Sequence, residues 1–141
     1  MFHELVSDPG EHTPEELYAA LAAELADAVE SAGVDAVAAR TDLDRETVAA
    51  VAAGDAPELT LEEAAALLAA AEDDDAESIV LLSRDALMMG MSQAVLDVEA
   101  LAAEAGGDLE AREVQSKIEG RFPMTLREFA LLHATIRARV R

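Results

Sequence analysis

Almost one residue in four of this chain is alanine, 32 of 141, and that excess limits what the chain can fold into more than any motif does. Alanine is the best helix former because it loses no side-chain freedom in a helix. The residues that favour strands are scarce apart from valine, with aromatics at 3%. The expected fold class is therefore all-α. A domain of this length buries roughly 68% of the surface its unfolded chain exposes, so it needs no metal or disulfide to hold it. There is no cysteine, which excludes a disulfide framework and a thiolate zinc site.

Helix punctuation divides the chain. Thr13, Pro14 and Glu16 combine a hydroxyl cap, a proline at the first helical position and a capping box. They predict a helix over 14–32, ended by Gly33, with Leu17, Leu21, Leu25, Ala28 and Ala32 on its inner side. A short helix over 35–41, a turn at Asp42-Leu43 and a helix over 45–53 capped by Asp44 follow. Thr60 with Glu63 repeats the capping box and opens a helix over 61–71. Next the apolar pattern predicts one long helix over 76–105, with Asp73-Asp74-Asp75 complementing its dipole. Val80, Leu87, Met91, Ala94, Val98, Leu101 and Ala105 form one row on it, and Leu81, Met88 and Val95 a second. An apolar face that broad suits a buried central helix or a dimer seam. A helix over 109–119 capped by Asp108, and a last one opened by Thr125 and Glu128, complete the pattern. The expected architecture is a compact bundle of six to seven helices in one domain, 1–141. An N-terminal cluster over 13–72 packs on the long central helix and a C-terminal helical hairpin, together 76–141.

Charge is the second constraint. Thirty acidic residues face ten basic ones, for a net charge of −20, and Lys117 is the single lysine. At ordinary ionic strength such self-repulsion strains a compact state. At ~1 M salt the Debye length falls to ~3 Å and most of the repulsion is screened. Carboxylate excess, few lysines, abundant alanine and valine and no cysteine resemble the proteins of salt-in halophilic archaea. The excess is uneven: residues 1–107 carry −22 and residues 108–141 carry +2. The basic residues after position 107 either face N-terminal carboxylates, with Phe122, Leu126, Phe129 and Ile136 buried against the long helix, or form a cationic patch free to meet phosphate or an acidic partner. Met1 to Val6 has no basic n-region, and no run approaches ~20 uncharged apolar residues. A soluble, cytoplasmic protein without a membrane partner is expected.

One stretch carries functional content. Ala38 is small where two helices would cross, and Val37, Leu43, Val48 and Val51 stand where they lock a second helix onto a first. This resembles the phage-repressor (Cro/repressor-like) helix-turn-helix. The resemblance covers residues 17–72, since Gly54, Pro57, Leu59 and Thr60-Leu61-Glu62-Glu63 are similar to that family's entry into its fourth helix. It implies DNA binding with the 45–53 helix in the major groove, and Arg40, Arg45, Glu46, Thr47, Ala49 and Ala50 as the contacts. Asp42 stands where that family has glycine. Of the positions that would face bases, Asp44, Arg45, Glu46, Ala49, Ala50 and Ala53, only Arg45 is a good base reader. Few neighbours could neutralise phosphate. Separately, residues 113–130 resemble an uncharacterised family of small haloarchaeal proteins, and that resemblance carries no activity.

Enzyme chemistry finds no motif. His3, His12 and His133 lie far apart and lack metal-ligand spacing. No nucleophile triad, phosphate loop or dinucleotide turn is present. His133 falls on the apolar stripe Leu126, Phe129, His133, Ile136, Val140 and reads as a core or boundary histidine. Met88, Met89 and Met91 read as core filler beside Gly90, or as an adaptable binding face. The expectation is a non-enzymatic protein with no metal, small-molecule cofactor or catalytic residue. Two functions stay open: a repressor-like DNA-binding regulator, or a protein-interaction or self-associating module using either the long helix or the basic C-terminal face.

The charge pattern carries its own test. Circular dichroism should show less helix, or a lower melting midpoint, at ~0.1 M than at ~2 M KCl. A midpoint indifferent to salt would overturn the screening argument.

Overall fold

A computed structural model describes residues 2–55 and 57–140. Two 3₁₀ turns, Phe2–Glu4 and Pro9–Glu11, precede eight α-helices, and no strand stands among the described residues. The helices are α1 (Pro14–Ala32), α2 (Val34–Ala39), α3 (Arg45–Ala52), α4 (Leu61–Glu72), α5 (Ala76–Ala94), α6 (Val98–Glu104), α7 (Ala111–Ile118) and α8 (Leu126–Arg137). The all-α class and the bundle are as the composition predicts. All three Thr-x-x-Glu boxes form, at Thr13, Thr60 and Thr125, each with hydroxyl and carboxylate bonding reciprocally to backbone N–H groups. Two of them meet in space. Thr60 and Thr125 form an antiparallel bridge in which Leu61 N–H donates to the Met124 carbonyl and Leu126 N–H to the Leu59 carbonyl. The starts of α4 and α8 are thereby tied together.

The count exceeds the expected six to seven because the long 76–105 helix is broken. α5 ends at Val95, which takes left-handed backbone angles (φ 56°, ψ 47°), and α6 leaves at 94°. Leu96 N–H closes on the Met91 carbonyl at 2.9 Å, and Asp97 caps α6 through the Ala100 N–H at 2.8 Å. Left-handed backbone is strained for a β-branched residue, so tertiary packing must hold it. The bend returns Leu101 and Ala102 to the core, where α6 packs on α7 and α8. Asp73-Asp74-Asp75 is likewise divided: Asp73 ends α4 in left-handed geometry, and Asp75 caps α5 through the Ser78 N–H. α7 starts at Ala111 behind Glu110, not at 109 behind Asp108.

The centre of the bundle is α8 rather than the long helix. Seven of its twelve residues are buried, on more than one side: Leu126, Phe129, Ala130, Leu132, His133, Ala134 and Ile136. It packs on α1, α5, α4, α6 and the second 3₁₀ turn, while α7 rests mainly on α6 and α5. The expected C-terminal hairpin is thus two helices with different neighbours. Two glycines permit the closest approaches. A Cβ on Gly90 of α5 would lie 2.7 Å from Ile136 Cγ2, and one on Gly10 would lie 2.6 Å from the Arg137 carbonyl oxygen.

The basic C-terminal region only partly meets the N-terminal acids. Arg127 reaches Glu58 and lies over the Tyr18 ring, and Arg139 pairs with Glu104. Lys117 and Arg121 instead pair with Glu128 and Glu119 in their own region, and Arg137 donates to Gln93. Arg141 lies outside the described residues. Leu126, Phe129 and Ile136 are buried as expected, but Phe122 is 62% exposed.

His133 is a core histidine, stacked on Phe129 with ring centroids 5.3 Å apart. Burial pushes its pKa down from 6.5 to about 4, with the nearby His3 and Arg137 charges adding to the effect. Between those values the unfolded chain binds more protons than the folded one. Stability should therefore be complete above pH ~6.5 and fall as the pH drops toward ~4, by about 3 kcal/mol from this group. His133→Phe should flatten that part of the stability profile in denaturant titrations at ~2 M KCl. An unchanged slope would remove His133 as its cause.

Candidate functional site

The residues that the helix-turn-helix resemblance points to lie on α2 and α3. Asp44 caps α3, accepting from both the Thr47 N–H and the Thr47 hydroxyl, and these bonds hold the Asp44 carboxyl below its ordinary pKa. Val37, Val48 and Val51 are buried, and Leu43 packs against the core. α3 is seated on α1 and α2, so its position is set by these apolar contacts.

Its cations are occupied. Arg40, at the C-cap of α2, donates Nη1–H to the Ala70 carbonyl near the end of α4, at 3.0 Å. Arg45 donates Nε–H to Asp35 at 2.6 Å, with both side chains mostly exposed. Glu46 is exposed, Thr47 is engaged by Asp44, and Ala49 and Ala50 are half-buried. The structure therefore brings Arg45, Glu46 and Thr47 together at the start of α3, while Arg40 is directed toward α4. Exposed Asp35, Asp42, Asp44 and Glu46 surround that end, so the local potential is negative.

The most distinctive surface lies elsewhere. The inner side of α5 buries Ile79, Val80, Ser83, Leu87 and Gly90. Its outer side leaves Leu81 at 61%, Leu82 at 47%, Met88 at 42% and Met89 at 63% exposure, with Val95 at 89% just beyond. The second apolar row, which predicts a buried helix when read along the sequence, faces solvent. Met88 and Met89 are therefore not core filler, and only Met91 is partly buried. Gly90 lies on the covered side, one turn from Leu87, and its missing side chain leaves room for Ile136 of α8.

Two grooves flank this face. One, of about 470 Å³, is lined by Ala76, Val80, Leu81, Glu62, Glu77 and Arg84. The other, of about 610 Å³, lies around Met88, Met91, Val95 and Leu96. Arg84 holds Glu62 at 2.6 Å, and Gly120 fits against its guanidinium, where a Cβ would lie 3.1 Å from Nη1. Arg84 stands one helical turn from both Leu81 and Met88. The turn at Gly120 therefore borders the same side of the face.

Among the described residues no group of three or more His, Asp or Glu side chains could hold a metal ion. No single described helix is long and apolar enough to cross a membrane; α5 with α6 passes by length and composition, but across the 94° bend. Fold and surface together define an acidic all-α bundle with one exposed apolar helix face. The chain belongs to DUF5791, a family of unknown function, whose model matches residues 17–139. No curated protein matches it, and no solved structure does.

Proposed function

We propose that this chain is a non-enzymatic protein-interaction module of a salt-adapted cytoplasm, and that it docks through the outer face of α5. The observation that carries this reading is the run of exposed Leu81, Leu82, Met88 and Met89 on a chain of net charge −20. Soluble proteins rarely expose contiguous apolar patches above a few hundred Å² unless something covers them. Methionine adds an unbranched, polarizable side chain that adapts to a partner surface. A photo-activatable residue in place of Met89, in cells that make the protein, should give a discrete protein adduct that Leu82→Glu abolishes. No adduct, or one indifferent to that change, would overturn the reading.

DNA binding through α3 is the second reading. The observation in its favour is that α2 and α3 flank a short turn and both rest on α1. It requires Arg45 to exchange Asp35 for a base edge, while Arg40, Glu46, Thr47, Ala49 and Ala50 supply the remaining contacts. A lost bidentate guanine contact costs ~1–3 kcal/mol. If this reading holds, fluorescence anisotropy in ~2 M KCl should find specific binding that Arg45→Ala weakens about 10- to 100-fold, with helix content unchanged. Binding equal in wild type and variant would remove α3 from any recognition role.

A further inference from the structure

The occupant of the α5 face follows from charge, spacing and area, and the inference rests on the docking reading above. We infer that α5 mates antiparallel with α5 of a second copy of this chain.

Charge narrows the choice first. From Ser78 to Leu96 there is one acidic residue, Asp85, in a chain with 30 among 141. An acidic surface of this protein brought against another copy meets like-charge repulsion, and the outer face of α5, with Asp85 as its one acid, meets little of it. A lipid surface fits poorly. Helices that lie on membranes carry Lys and Arg along their polar edge to meet anionic head groups. The only cation on α5 is Arg84, and it is paired with Glu62.

Spacing then favours an identical partner. Leu81 and Met88 stand seven residues apart on α5, as do Leu82 and Met89 alongside them, and Val95 follows at the left-handed turn where the helix ends. That interval keeps one apolar seam facing another helix. In an antiparallel pair centred on Met88, Leu81 of each copy lies opposite the partner's Val95. Asp85 then falls opposite the turn holding the partner's Met91 and Ser92, away from the partner's Asp85. Leu82 and Met89 widen the contact on one side, and Arg84, with Gly120 against its guanidinium, borders it on the other.

Area is sufficient. At the exposures observed, these side chains present an apolar surface on the order of 600 Å² per copy. Fully covered, the two faces together remove at most about 1,200 Å² from water, the lower end of a specific interface. Such a dimer is reversible and salt-dependent, because the acidic flanks of the two copies repel until they are screened.

The absence of cysteine makes the test clean. Sedimentation equilibrium at ~2 M KCl should show a concentration-dependent rise from the 14.8 kDa chain to twice that mass. Met88→Glu should weaken the dimer at least tenfold while leaving the circular dichroism spectrum unchanged. Met88→Cys should form an inter-chain disulfide on mild oxidation, as should the double variant Leu81→Cys with Val95→Cys. Val95→Cys alone and Glu24→Cys on α1 should not. A chain monomeric at every concentration would overturn the second-copy inference; if the Met89 adduct with another protein persisted, the docking reading would survive it. A dimer indifferent to Met88→Glu would show that α5 is not the seam. Ready linkage through Val95→Cys alone would overturn the antiparallel arrangement.

Discussion

The close approach of α8 to α5 and α1 is the contact on which the rest of the molecule depends. α8 carries a twelve-residue segment with apolar groups on several sides, and such a helix is stable only when surrounded. Gly90 lets Ile136 sit against the α5 backbone, and Gly10 lets the second 3₁₀ turn rest on the Arg137 carbonyl. The Thr60–Thr125 bridge then aligns the start of α8 with that of α4. Once α8 occupies the centre, one side of α5 is covered and the other is left exposed among the described residues. The exposed face is therefore a geometric consequence of how the core closes.

Electrostatics act around this core without building it. The ion pairs are mostly exposed, and exposed pairs contribute about 0–1 kcal/mol each, less in salt. Arg127 over Tyr18 and Arg139 with Glu104 orient α8 relative to α1 and α6. Arg40 and Arg45 are drawn into local bonds by the carbonyl end of α4 and by Asp35. In a chain with three acidic residues for every basic one, an arginine meets a carboxylate nearby more readily than it stays free. The outer face of α5, with one acidic residue between Ser78 and Leu96, carries little charge by comparison.

Local signals were legible along the chain wherever one or two residues decide a local geometry. Thr13, Thr60 and Thr125 with their partner glutamates mark helix starts, because hydroxyl and carboxylate satisfy orphan N–H groups three residues away. The apolar positions of α2 and α3 were legible by spacing, and Val37, Val48 and Val51 are buried. The break at Val95 was not legible. No glycine or proline marks it, and valine is a poor residue for left-handed backbone; only Asp97, as the cap of α6, hinted at a new start. The engagement of Arg40 with Ala70 and of Arg45 with Asp35 was equally hidden, since it depends on where α4 and α2 end in space.

Composition and local chemistry by themselves determined an all-α chain, its caps and a strong excess of carboxylates. These follow from alanine's low entropic cost in helices, from capping bonds within four residues and from the count of carboxylates. Only the tertiary structure decided which helix is central, where the 76–105 segment bends and which row of α5 faces water. Both rows of α5 carry large apolar side chains, so hydrophobicity alone does not say which one the core covers. The difference is the absent side chain of Gly90, which becomes a docking point only when Ile136 arrives from 46 residues away.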